Sequence, residues 1–304
     1  MAPTSRLDWA LFLLLGFAWG SSYLFIKIGV DAGLPPFTLV TLRLLFGVAL
    51  LATVVAIARE RLPRERRTYG HLLVMSVLNV ALPFYLITWA EQSVDSSLAA
   101  ILGAAVPLFV IVIGPLLLAD ERITLPRLVG LAIGFAGVWI LVGFDPARMA
   151  DGDLLPELAL IAASASYAAG AVYARRFVHG LRPMIPAVFQ VGFAAVIAAV
   201  LALALERPFG LSIEPVGFLA VVWLGLLGSG VAYLLFFRLL ARWGATRTSL
   251  VAYLLPVVGL VLGALVLNEP VDARLIVGTA LVIAGIAIVN ARLNLRRRVA
   301  QPTA

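Results

Sequence analysis

From residue 9 to residue 291 the sequence alternates apolar runs of about twenty residues with short breaks of charge, proline and glycine. A bilayer core about 30 Å thick is crossed by about 20 helical residues rising 1.5 Å each. Each run is therefore a candidate span. The breaks define ten of them, at 9–30, 37–58, 70–89, 97–118, 127–144, 157–178, 184–205, 216–238, 247–267 and 273–291. Composition agrees: 62% of the chain is hydrophobic and 13% charged, against about 45–50% and about 25% in globular domains. No soluble core hides that much apolar surface. The expected fold is an all-α integral membrane protein of ten transmembrane helices with short loops. Arg6 followed by an apolar run imitates a secretory signal, but the run is too long for one and no small-residue cleavage pattern follows. It reads as the first retained span.

A net charge of +7 would point to nucleic acid in a soluble chain. Here the basic residues fall mostly in short loops, which is a topology signal. With the N-terminus inside, eighteen of the 23 lie on the cytoplasmic side: Arg6, Arg59, Arg61, Arg64, Arg66, Arg67, Arg122, Arg127, Arg175, Arg176, Arg182, Arg238, Arg242, Arg247, Arg292, Arg296, Arg297 and Arg298. Only Arg148, Arg207 and Arg274 fall opposite, and Lys27 and Arg43 lie within spans. Both termini are then cytoplasmic, in a bacterial inner membrane, with the lipid bilayer as partner and no nucleic acid.

The chemistry the chain lacks narrows the function further. There is no cysteine, and His71 and His179 have no metal-ligand spacing, so thiolate zinc sites and cysteine nucleophiles are excluded. No H-E-x-x-H, G-x-S-x-G or phosphate-binding glycine loop occurs. An enzyme is not expected, nor a cofactor or metal. Rings of charge that would mark an ion channel are missing too.

The halves match each other at a shift of 148 residues. Lys27 meets Arg175, Trp19 meets Tyr167, and Glu121 meets Glu269. "GLAIGFAGVWIL" from Gly130 aligns with "GTALVIAGIAIV" from Gly278, and Pro107 meets Pro256 at a shift of 149. Two units are expected, 9–144 and 157–291. Five spans is an odd number, so the second unit enters the membrane inverted. Inverted repeats are typical of transporters that rock around a site at mid-membrane. Pro107 and Pro256 fall near the middle of the fourth and ninth spans. Each removes a backbone donor and clashes one turn back, freeing the carbonyls of Gly103 and Ala252. Both read as hinges or cavity bends, or as tolerated packing kinks.

"WGSSYLFIK" at 19–27, "PPFTLVTLR" at 35–43 and the paired blocks Glu121/Gly130 and Glu269/Gly278 resemble the EamA-type branch of the drug/metabolite transporter superfamily. The resemblance runs from Trp19 to Asn290. It implies a ten-helix basket around a central cavity that moves small metabolites, often outward. In length and span layout the chain is most similar to YddG-like amino-acid exporters. The second half departs from the motif. "SASYAAGAVYAR" lacks Trp-Gly-Ser, and Val191 stands where a counterpart of Arg43 would be.

Lys27, the only lysine, lies about 27 Å along the first span, at the edge of the core where it can snorkel. Asp31 is one turn away as a partner. Arg43 lies about 10 Å in from Pro36, and an intramembrane charge normally has a partner or a function. Asp31, Glu91 and Asp95 are available to it. Lys27, Arg43 and Asp31 read as a gate or structural ion pair first, and as substrate contacts or lipid anchors second.

The candidate substrate-binding residues are polar and aromatic groups too deep for the interface: Trp19, Tyr23, Asn79, Tyr85, Tyr167, Ser229, Tyr233 and Tyr253. Each lines a cavity or acts as glue between helices. Trp9, Trp89 and Trp243 read as interface aromatics. Such a cavity suits neutral or zwitterionic solutes better than phosphates, for which a mid-depth cation is needed. No carboxylate or histidine falls in the middle of a span. Proton relays normally use one, so gradient-driven facilitation is expected. Glu121 and Glu269 read as electrostatics at the starts of the fifth and tenth spans. Small residues (Gly130, Gly134, Gly137, then Gly278, Ala284, Gly285) permit close helix approach, within a monomer or across a homodimer. The expected function is a secondary transporter, exporter or facilitator, of small-molecule substrates, with neutral and aromatic amino acids leading. Lipophilic cations, nucleobases and a non-transporting membrane role are the alternatives.

Overall fold

The computed structural model describes residues 5–118, 124–143, 154–178 and 180–299. Glu121, Arg122, Arg148 and His179 lie outside them, so the readings placed on these residues have no structural counterpart. Every regular element among the described residues is helical. Nine helices are long and apolar enough to span: α1 Arg6–Asp31, α2 Pro36–Ile57, α3 Arg66–Ala90, α4 Ser96–Leu117, α5 Leu125–Val142, α6 Leu155–Phe177, α7 Met184–Leu205, α8 Pro215–Leu240 and α9 Ser249–Val266. The tenth, α10 Ala273–Val299, carries a shorter apolar stretch, Ala273–Val289. The helix edges fall within a few residues of the polar breaks. Lipid-compatible side chains such as Leu13, Phe17, Trp139, Val196 and Leu219 stay exposed around the bundle.

The partners of each helix follow a rule. α1 packs on α8 and α9, and α6 packs on α3 and α4; α2 packs on α7, and α5 on α10. Exchanging each helix with the one five places on leaves this set unchanged. The loops repeat as well. Arg59 and Arg207, 148 residues apart, both hold left-handed backbone, as do Gly33 and Gly180. The small-residue stripes face each other inside the chain: a Cβ on Gly130 would fall 2.8 Å from the Gly285 carbonyl, and one on Gly137 2.8 Å from that of Gly278. Only bare backbone lets α5 and α10 come so close.

Four spans are irregular inside, in matching pairs. α3 contains a π-helical turn at Val77–Ala81 and α8 one at Leu224–Val231. α4 breaks between Gly103 and Val106, and α9 opens as a 3-10 turn, Ser249–Tyr253, before its α-helical part. Pro107 and Pro256 do not bend a continuous helix as the sequence suggested. Each sits in the first turn of a new helical piece, where a missing N–H costs nothing. Serine hydroxyls brace these irregular stretches. Ser166 donates to the carbonyl of Leu78 within the π turn at 2.8 Å, and Ser164 to that of Leu102 beside the break at 2.7 Å.

Candidate functional site

α1, α2, α3, α6 and α8 surround one cation. Arg43 is 3% exposed. Its guanidinium lies 4.2 Å over the ring of Phe84, and Nη2 donates to Ser229 Oγ at 3.4 Å. Nε has no hydrogen-bond partner. The hydroxyls of Tyr23, Tyr167 and Tyr233 and the carboxylate of Glu91 stand within electrostatic range of it. Among the described residues no carboxylate forms an ion pair with it. Ser229 lies near the middle of the 26-residue α8, so the guanidinium reaches mid-depth from a Cα nearer the end of α2. The sequence placed no cation there, and the argument against anionic solutes loses its premise.

Backbone irregularity makes the space. Around Ser229, a Cβ on Gly225 would fall 2.6 Å from the Arg43 carbonyl, and one on Gly228 2.8 Å from Ser22 Oγ. The π turn of α8 therefore touches α1 and α2 almost backbone to backbone. The equivalent turn in α3 presents Asn79, whose side-chain oxygen packs directly over Gly170 of α6, one turn beyond Tyr167.

The wall around Arg43 is aromatic. Trp19 meets Tyr233 edge-on with centroids 6.1 Å apart, and Phe236 at 5.4 Å. Tyr23 is buried with its hydroxyl over Gly103 at the α4 break. Trp19, Tyr167, Tyr233 and Asn79 are half-buried. Tyr253 packs half-buried against the main core from the 3-10 turn of α9. Tyr85 lies apart from this group, stacked on Phe37 at 4.0 Å and 7°. Six of the eight predicted contact residues thus come together, on α1, α3, α6 and α8. Phe84 and Phe37 were not foreseen; a phenylalanine in an apolar run gives no signal of its own.

The two ends of the bundle are tied differently. At the Lys27 end, Lys27 pairs with Asp31 at 3.3 Å and donates to the Glu91 carbonyl at 2.9 Å. It does not reach Arg43. Glu269 accepts from the backbone and hydroxyl groups of Ser96 and Ser97 at the start of α4. It caps α4 rather than α10, whose start the sequence suggested. Glu206 accepts from Phe37 N at 2.8 Å and Thr38 N at 2.7 Å at the start of α2. In both, a carboxylate satisfies the orphan donors of a helix N-terminus. The opposite end is held by an ion pair, Asp8 to Arg242 at 3.1 Å, and by rings. Trp9, Phe12 and Trp243 cluster there with centroids 5.0–5.7 Å apart. Trp243 is only 5% exposed, a packed residue rather than an interface anchor.

The comparisons fit this layout. The EamA-like transporter family model matches twice, at residues 9–143 and 154–291. The chain is 31% identical to an uncharacterized inner membrane transporter, YedA, of Escherichia coli, over 84% of this chain and 80% of that protein. It is 26% identical to the uncharacterized transporter YoaV of Bacillus subtilis, over 88% and 91%. A probable amino-acid metabolite efflux pump of Escherichia coli is 27% identical over 93% and 95%. One solved crystal structure shares the fold, with a TM-score of 0.64 at 22% identity over 98% of this chain and 100% of its own. Matched in both halves, and more than 30% identical to a relative over most of its length, the chain belongs to the EamA-like transporter family and is a multi-span membrane transporter.

Proposed function

We propose that this transporter moves small zwitterionic solutes, neutral and aromatic amino acids foremost, by alternating access. Two five-helix units of opposite orientation, 9–144 and 157–291, rock around the Arg43 cluster, with both termini in the cytoplasm and net flux outward. The carrying observation is Arg43, a buried guanidinium with a free Nε that is surrounded by tyrosines and, among the described residues, forms no ion pair with a carboxylate. A solute carboxylate completes that set with charge-assisted hydrogen bonds, while Trp19, Tyr167 and Tyr233 offer ring faces to its side chain. The swap symmetry of the helix contacts supports opposed units, and the paired breaks beside Pro107 and Pro256 are where they flex. The relative described as a probable amino-acid metabolite efflux pump supports the solute class.

The test is uptake by proteoliposomes of labelled phenylalanine, tryptophan, methionine, threonine, glutamate and lysine, each against its unlabelled competitor. Saturable uptake of the neutral members, abolished in Arg43→Leu and altered in Asn79→Ala, is expected. No uptake of any of the six overturns the amino-acid reading and redirects the search to nucleobases and lipophilic cations.

A further inference from the structure

Glu91, the residue after α3, is 0% exposed, and neither oxygen of its carboxyl group has a hydrogen-bond partner. The sequence placed it at the mouth of the bundle, among groups free to pair with Arg43. Folding buries it instead. Among the described residues no carboxylate lies in the middle of a span, the premise on which gradient-driven facilitation rested, but that premise did not weigh a buried acid at the end of α3.

We propose that Glu91 is a proton-binding site whose occupancy governs the opening of the Lys27 end of the bundle.

The groups facing it show why a proton, and not an ion pair, neutralises it. From α1 come Lys27 and Asp31, from α2 Arg43, and from the loop after α9 Glu269; Asp95 follows in its own loop. Lys27 is nearest in charge, but its ammonium is spent on Asp31 and on the main-chain carbonyl of Glu91, not the carboxyl. Arg43 is engaged with Ser229 and Phe84. Glu269 is occupied by Ser96 and Ser97. Four acids thus meet two bases, and the buried one receives no donor. An isolated carboxylate in such a place takes up a proton rather than bear the desolvation cost. Burial pushes the Glu91 carboxyl well above the usual carboxylate range; Glu269 and Asp31 add to this, and Lys27 and Arg43 oppose it.

The linkage has a definite sign. With its affinity for protons raised in the closed form, Glu91 stabilises that form fully at pH values below its open-form pKa. That stabilisation is lost as pH rises through the closed-form value. Opening admits water, lowers the affinity and releases the proton. Each closure takes one up again from the same side, so opening answers to the pH of the compartment at the Lys27 end whatever solute the protein carries.

The chain has no native cysteine, which makes a solute-free test practical. The full-length protein in lipid vesicles is titrated by infrared difference spectroscopy, wild type against Glu91→Gln. The carbonyl stretch of a protonated carboxylic acid should persist at neutral pH in wild type and vanish in the variant. In parallel, Val94→Cys, at a position 7% exposed, is labelled with a maleimide across pH. Its rate is normalised to that of Ser93→Cys, an exposed neighbour. The normalised rate should rise several-fold with pH, and Glu91→Gln should flatten the rise. A carboxylic-acid band that survives in Glu91→Gln, or none at neutral pH in wild type, overturns the proton site. A band that belongs to Glu91 beside a pH-independent labelling ratio overturns its control of opening. Neither readout uses an amino acid, so both stand if the solute class is wrong.

Discussion

α2 and α7 occupy equivalent places in the two repeats and pack on each other, yet they differ in charge at one pair of equivalent buried positions, 43 and 191. Arg43 on α2 lies among Phe84, Ser229 and three tyrosine hydroxyls. Val191, 148 residues on, is fully buried in an apolar cluster with Ala194, Ala195 and Ala198. The same fold is therefore built with a cation at this position and without one. A charge that the architecture does not require, held out of water with an unused donor, is the asymmetry on which the proposed binding role rests.

The largest effect follows from forcing the comparison the wrong way. Val191→Arg forces a guanidinium into a close-packed apolar cluster that also holds Val40, Leu44 and Phe84, a cost on the order of 5 kcal/mol. Most of the stability of a domain is of that size. The expected outcome is loss of monodisperse protein in detergent, or a fall of the thermal midpoint by more than ten degrees, by order of magnitude. A stable Val191→Arg protein would mean that α7 accommodates a buried guanidinium as α2 does.

The converse change separates fold from function. Replacing a buried charge with an apolar side chain of similar bulk is often neutral or stabilising, so Arg43→Leu should keep or raise the melting temperature. Saturable uptake should fall by more than about tenfold, since truncating one side of a buried charged contact typically costs about 2–5 kcal/mol of binding. Arg43→Lys should recover it only in part, because a point charge cannot reproduce the fork. An Arg43→Leu protein that melts early and transports normally would reverse the assignment and make Arg43 scaffold.

A second pair of equivalent places sharpens the comparison at smaller amplitude. In one repeat the π turn brings Asn79 onto Gly170; in the other it brings Gly228 onto Ser22. The large and small partners have changed helices. Gly170→Ala leaves no room for Asn79 and should destabilise by about 1–3 kcal/mol, read as a lowered midpoint of thermal unfolding. Asn79→Ala in the same chain should restore most of the loss, because the two residues share one contact and their effects do not add.

The sequence shows its spans clearly because membrane length is a hard constraint on apolar runs, and the ten runs became ten helices. The irregular turns inside them were less legible. Proline announced a disturbance near residues 107 and 256, but no residue type announces a π turn at Val77–Ala81. The binding candidates were chosen by depth and polarity, and most converged because inward-facing polar groups in lipid have few other places to go. Tyr85 met the same criteria and stacked on Phe37 instead. Glu91 was misjudged for a physical reason: its position along the chain marks the end of a helix, while its burial depends on α1 and the α9–α10 loop folding over it. Capping by Glu206 and Glu269 was hidden likewise. Each carboxylate closes a helix about 170 residues away in sequence.

The smallest effect concerns those caps. Glu60 follows α2 and Glu206 follows α7, beside residues that share the left-handed backbone of the repeated turn. Glu60 forms an ion pair with Arg182 at 3.0 Å, and that arginine is 69% exposed, a contact worth about 0–1 kcal/mol. Glu206 meets two backbone N–H groups and the hydroxyl of Thr38 at the start of α2. Its negative charge faces the positive end of the helix dipole. Glu206→Gln keeps one acceptor oxygen and loses the charge, so about 1 kcal/mol should be lost. Glu60→Gln should move the thermal midpoint by less than half as much. Raising the salt concentration should erase the Glu60 effect first, because a pair with a largely exposed arginine is screened more than a carboxylate held by two part-buried N–H groups and a hydroxyl. Equal losses for the two variants, with equal salt dependence, would show that Glu206 is a surface charge like Glu60, and that the start of α2 is held by packing alone.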